Sequence, residues 1–155
     1  MQIDYAKWHD GVGYDISLIH KANAQERTAI ETLLLERCTQ GFLDWRDIEA
    51  FAALGSTDAL LAASRCGKHE IEVAVIDYAA DYLSDSQKNE ILIRALAHAE
   101  IGSGLAEALR AARKHPTPEV LAALRNGIAQ RKPGLQRLFQ GTLDHICGRS
   151  FSSSL

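Results

Sequence analysis

Apolar residues recur at three- and four-residue steps along nearly the whole chain, and clean two-residue alternation is hard to find. That period puts side chains on one face of an α-helix, whereas a half-buried strand needs a period of two. Leu105, Ala108, Leu109 and Ala112 form one such stripe. Leu135, Leu138, Phe139, Thr142 and Ile146 form another, and Ile48, Phe51 and Ala52 a third after Trp45. The one rival for a strand is IEVAVI at 71–76, where β-branched residues cluster, yet Ile71, Val75, Tyr78, Ala79 and Tyr82 continue the helical step. The chain is therefore expected to be all-α.

Punctuation along the chain agrees. Asn23 with Glu26, and Ser84 with Gln87, have the spacing of reciprocal capping pairs. Asp44 and Ser103 can each cap a helix start, Thr117 can do so before Pro118, and Pro133 opens the last helix. Gly55, Gly67 and Gly148 stand where helices should stop. The spacing predicts about eight or nine helices, at 16–21, 24–39, 45–54, 57–66, 69–82, 85–98, 103–115, 118–131 and 134–147. Connections of a few residues force consecutive helices to lie antiparallel.

At 155 residues the chain is long enough for one core, and one domain over 1–155 is expected, with 1–22 as an N-terminal cap and 149–155 as a disordered tail. No stretch approaches the roughly 20 apolar residues that a bilayer requires. The opening residues MQIDYAKWHD lack signal-peptide character, so a cytoplasmic location is expected. Cys38, Cys66 and Cys147 are odd in number and widely spaced, which fits reduced, mostly buried thiols. Charge is segregated. Residues 1–100 hold 17 acidic against 9 basic side chains, and residues 101–155 hold 3 against 8. A bipolar chain of this kind favours partners of opposite sign.

Two stretches are alike: LLAASRCGKHEIEVAVIDYAA at 60–80 and LRAARKHPTPEVLAALRNGIA at 109–129, offset by 49 residues. Each reads as a helix, a turn with glycine or proline, and a second helix entered by Glu and then Ile or Val. This resembles HEAT-like repeats, although the arginine usual after the Ile or Val is missing; an ordinary helical bundle is the alternative. The resemblance implies antiparallel helix pairs stacked as a short α-solenoid, with alanines allowing close approach. The opening segment and DWRDIEAFAALG at 44–55 are also similar to small HEAT-like proteins encoded beside bacterial polymorphic toxins, which act as immunity proteins. That resemblance implies a protein that binds and blocks one toxin domain.

KWHDGVGYD at 7–15 holds His9, Asp10 and Asp15, but no second histidine or cysteine stands at ligand spacing, and the glycines lack the pattern of a nucleotide loop. It is expected to be structural, with Trp8 and Tyr14 over the open end of the first layer and Asp15 capping a helix. None of the six histidines pairs at three or four residues. No catalytic residue, metal site or cofactor is expected. Asp77, Asp81 and Asp85 recur at four-residue steps, a like-charge spacing that costs helix stability and so suggests a use. Asp44, Asp47 and Glu49 beside Trp45 add a second acidic group with an aromatic anchor. Asp44, Trp45, Asp47, Asp77, Asp81 and Asp85 are the expected contact residues for a protein with a basic surface, such as a cognate toxin domain. The alternative is nucleic-acid binding through Arg110, Arg113 and Lys114.

Overall fold

The computed structural model describes residues 13–152, with side chains to residue 148. Nine α-helices lie among them: α1 (Ile16–Lys21), α2 (Ala24–Thr39), α3 (Trp45–Leu54), α4 (Thr57–Ala63), α5 (His69–Ala79), α6 (Asp85–His98), α7 (Leu105–Lys114), α8 (Pro118–Gln130) and α9 (Pro133–Ser152). None of the described residues is in a strand, and IEVAVI lies inside α5. The chain is all-α.

The packing order is regular. From α3 onward each odd helix packs on the next, α3 on α5, α5 on α7 and α7 on α9, while α1 rests on α3. Helix α6 packs on α8 and on both its odd neighbours, α8 packs on α9, and α2 and α4 pack against α3. Contact between every second helix is what two stacked rows produce, and it is compatible with an α-solenoid. The odd helices begin at 45, 69, 105 and 133, so members of one row are 24, 36 and 28 residues apart. The 49-residue offset does not coincide with this spacing. It maps the end of α4 and α5 onto α7 and α8, exchanging the two rows, so the similarity reflects shared helix composition rather than a structural repeat.

The core explains the close stacking. Ile48, Phe51, Leu60, Val73, Val75, Leu92, Leu105, Val120, Leu124 and Phe139 are fully buried, each contributing roughly 1.5–3 kcal/mol of transfer free energy. Ala50, Ala95, Ala108, Ala111 and Ala112 are buried with them and keep the helices close. Leu138 departs from its stripe and is exposed, while Phe139, Thr142 and Ile146 carry the burial of α9.

Arginines tie helix ends together. Arg27 on α2 donates to the carbonyl of Ile19 in α1 and to those of Ala53 and Leu54 at the end of α3. Arg131 donates to Leu96 and Ala99 at the end of α6 and pairs with Glu100. Arg94 reaches Ser64 just past α4. The last carbonyls of a helix have no partner within it, and these side chains supply one.

Most expected caps are present. Asn23 and Glu26, and Ser84 and Gln87, form capping boxes, and Thr117 caps α8 with Pro118 in the first turn. Asp15 accepts from the Ser17 amide at 3.1 Å and its hydroxyl at 2.6 Å, capping α1. Four ends differ. Helix α4 stops at Ala63 rather than 66, before Gly67 turns the chain with φ at +79°. Helix α5 stops at Ala79 rather than 82, because residues 80–82 tighten into a 3-10 turn that sends the Tyr82 hydroxyl back to Ala52. Helix α7 starts after Gly104, not at Ser103, whose hydroxyl closes the preceding turn on the Glu100 amide. Gly104 has φ at +102°, and a Cβ there would stand 2.5 Å from the Glu70 amide nitrogen, so only glycine lets this turn meet α5. Gly148 does not end α9, which runs on to Ser152. The three cysteines are free, as expected, but Cys66 and Cys147 are exposed and Cys38 is only half-buried.

Candidate functional site

The acidic residues singled out in the sequence do not share one surface. Asp47 is fully buried. Its carboxylate accepts from Arg37 Nε at 3.0 Å and Arg37 NH2 at 3.3 Å, from the Tyr14 hydroxyl at 2.9 Å and from the Asp44 amide at 2.9 Å. Asp44 caps α3 in return, accepting from the Arg46 amide at 2.8 Å. Asp47 thus closes a capping box and anchors three segments, and it is inaccessible to a partner. Burial first, and then the Asp47 charge, raise the Tyr14 phenol far above its ordinary range. Within the opening motif, Tyr14 and Asp15 are structural; Trp8, His9 and Asp10 lie outside the described residues.

Asp77 is also covered. Its side chain is 9% exposed and accepts from Arg110 at 2.8 Å and Lys114 at 2.7 Å, one helical turn apart on α7. Sequence reasoning assigned these acidic and basic groups to rival partners, and the fold pairs them with each other. Arg113, the third of that basic set, donates to the buried Thr142 hydroxyl at 3.3 Å. Asp85 is open to solvent and pairs with Lys88 of its own helix at 3.3 Å, and Asp81 is exposed in the 3-10 turn. Periodicity could not find the cross-link, because Asp77 and Lys114 are 37 residues apart.

Burial alone would raise the Asp77 carboxyl. The hydrogen bonds from Lys114 and Arg110 outweigh it and hold the group below its usual value of 3.8. A carboxyl depressed in the folded state stabilises the fold above the unfolded pKa, and that contribution is lost as pH falls through the folded value. Asp77→Asn should therefore cost about 1 kcal/mol at pH 7, small because both cations are more than half exposed. Urea unfolding should show the difference from the native sequence shrinking as pH falls below the usual carboxylate value of 3.8. A constant difference across pH would show that the Asp77 charge is not its source.

Around this cross-link, α3, α5 and α7 present a common face. Trp45 on α3 stacks against Tyr78 on α5, with ring centroids 5.5 Å apart and an interplanar angle of 18°. The Arg46 guanidinium lies over the Trp45 ring at 4.9 Å and pairs with Asp44 at 3.1 Å. Tyr78 is 40% exposed even though it belongs to the apolar step of α5. Glu49 lies one turn after Trp45, on the same side of α3. Among the described residues it makes no hydrogen bond or ion pair, and burial alone raises its carboxyl. Gly13 packs against both, so closely that a Cβ would stand 2.8 Å from a Glu49 oxygen. Burial, then Glu49, then Asp77 raise the Tyr78 phenol. The sequence already groups Glu49 with the acidic neighbours of Trp45, whereas it places Tyr78 on the apolar step of α5 and gives no sign of its exposure.

A second polar cluster is structural. Glu72 is 1% exposed and accepts from the Gly67 amide at 2.9 Å and Arg94 Nε at 3.2 Å, with His69 Nδ1 at 3.3 Å. His69 stacks on His98 at 6.5 Å, so the cluster joins the α4–α5 turn to α6. An open depression of about 800 Å³ along α6 lies beside it, floored by Ile93 and Ala97. Among the described residues, no three His, Cys, Asp or Glu side chains gather as a metal site would require. No described helix is long and apolar enough to cross a membrane. No family model matches the chain, and neither a curated protein nor a solved structure does.

Proposed function

We propose that this chain is a non-enzymatic protein-binding module whose partner, a protein with a basic surface, docks on the face formed by α3, α5 and α7. The observation that carries this reading is Tyr78, a large aromatic left 40% exposed while stacked on Trp45. A stacked aromatic loses little freedom on binding, and such residues dominate interface energetics. Charge supports the sign of the partner. The first hundred residues carry a formal excess of eight negative charges. Arg110, Lys114 and Arg131 of the basic C-terminal third already pair with acidic residues of that segment. Asp81 and Asp85 stay exposed and would steer a cationic partner.

The finer form of this reading is an immunity protein that occupies the basic cleft of a cognate toxin, located in the bacterial cytoplasm; its support is the resemblance carried by DWRDIEAFAALG. Nucleic-acid binding is the weaker reading, because Arg110, Arg113 and Lys114 are each held by protein groups.

A photo-crosslinking residue at position 78, expressed in the native host, should capture one predominant protein with a basic surface. The purified pair should bind at least tenfold more weakly when Tyr78→Ala is introduced and when salt is raised from about 50 to about 300 mM. Capture of nucleic acid instead, or indifference of the purified pair to Tyr78→Ala, would refute the docking face.

A further inference from the structure

We propose that Tyr78 and Glu49 form an anchor for an arginine side chain of the docking protein, its guanidinium lying on the exposed Tyr78 ring and pairing with the Glu49 carboxylate. This deepens the docking reading and rests on it. The face already contains one guanidinium held by these ingredients. Arg46 lies over Trp45 at 4.9 Å while pairing with Asp44 at 3.1 Å. Tyr78 extends the same stack, carries no cation over its ring among the described residues, and has an unpaired carboxylate beside it in Glu49.

The neighbouring cations do not meet that need. Arg110 and Lys114 are engaged with Asp77, and Glu49 has no ion pair among the described residues. Burial already disfavours its charged form. An apolar partner residue on Tyr78 would desolvate Glu49 further without compensation. A lysine would offset the charge, but it has no planar face to lay on the ring and no fork to match a carboxylate. Arginine supplies both.

Binding of hexa-arginine and hexa-lysine peptides to the full chain, followed by calorimetry at about 50 mM salt, separates the possibilities. Hexa-arginine should bind about fivefold more tightly than hexa-lysine, the margin expected from stacking and bidentate pairing at a partly exposed site. Glu49→Gln and Tyr78→Leu should each bring the two peptides close to parity. Tyr78→Phe should keep the preference because it keeps the ring, and Asp85→Asn should weaken both peptides equally. Parity in the native sequence, or a preference that survives both Glu49→Gln and Tyr78→Leu, overturns the anchor. Unfolding midpoints of the variants establish that parity is not loss of fold. The two proposals fail separately: a crosslinked partner that binds Glu49→Gln as tightly as the native chain overturns the anchor and leaves the docking face standing. Arginine preference without any protein crosslinked at position 78 overturns the docking face and leaves Tyr78 and Glu49 as an arginine-selective pair with no docking protein.

Discussion

Asp47→Ala should destabilise the protein by about 3 kcal/mol, the lower end of the 3–5 kcal/mol seen when one partner of a buried ion pair is removed. The carboxylate is fully buried and receives two hydrogen bonds from Arg37, one from Tyr14 and one from the Asp44 amide. Removing it leaves the Tyr14 phenol and the Asp44 amide without this acceptor, and the Arg37 guanidinium with the Phe42 carbonyl but no counter-charge. Arg37 is 35% exposed and can recover some hydration, which is why the lower figure applies. Asp47→Asn should cost less, since an amide oxygen still accepts, though without charge. Asp85→Asn, at a 93% exposed side chain, should stay within about 0.5 kcal/mol of the native sequence. Urea unfolding measures all three. A loss under 1 kcal/mol for Asp47→Ala would mean the network is not holding α2, α3 and the Tyr14 segment together.

Gly127→Ala should destabilise by about 2 kcal/mol or more, although alanine is the better helix former. Gly127 lies in α8 where α9 crosses, and a Cβ there would overlap the Cε1 and Cδ1 atoms of Phe139. Phe139 is fully buried and cannot yield by moving into solvent. Overpacking of this kind costs about 1–3 kcal/mol, occasionally more, and it opposes the roughly 1 kcal/mol that alanine gains inside a helix. The clash should win because the obstacle is a ring locked in the core. Gly141→Ala, in α9, meets nothing within 4 Å and should instead stabilise by about 0.5–1 kcal/mol. The same chemical change should thus shift the melting temperature in opposite directions. Two shifts of equal sign would contradict the α8–α9 packing.

The fold was readable where the information is local. Asn23, Asp44, Ser84 and Thr117 each satisfy an amide two or three residues ahead, so spacing sufficed to place those helix starts. Gly148 does not end its helix because open space lies around it, and α7 starts after Gly104 rather than at Ser103 because that turn is set by its approach to the α5 backbone, which spacing does not reveal. The face of α3, α5 and α7 was only half legible. Trp45 was found beside its acidic neighbours, but burial of Asp47 and Asp77 depends on residues 10 and 33 to 37 positions away. One-dimensional charge patterning has no access to such pairs. Tyr78 was taken for core because an apolar step does not reveal which of its members the neighbouring helices leave uncovered.

The arginines that reach across helix ends carry a consequence for how this molecule comes apart. Since Arg27 holds carbonyls of both α1 and α3, fraying at the N-terminal edge takes the donor away from the last carbonyls of the next helix in its row. A purely modular stack could peel from one edge, segment by segment. Here each rivet makes the edge share the fate of the interior, favouring a single concerted loss of structure over stepwise shedding.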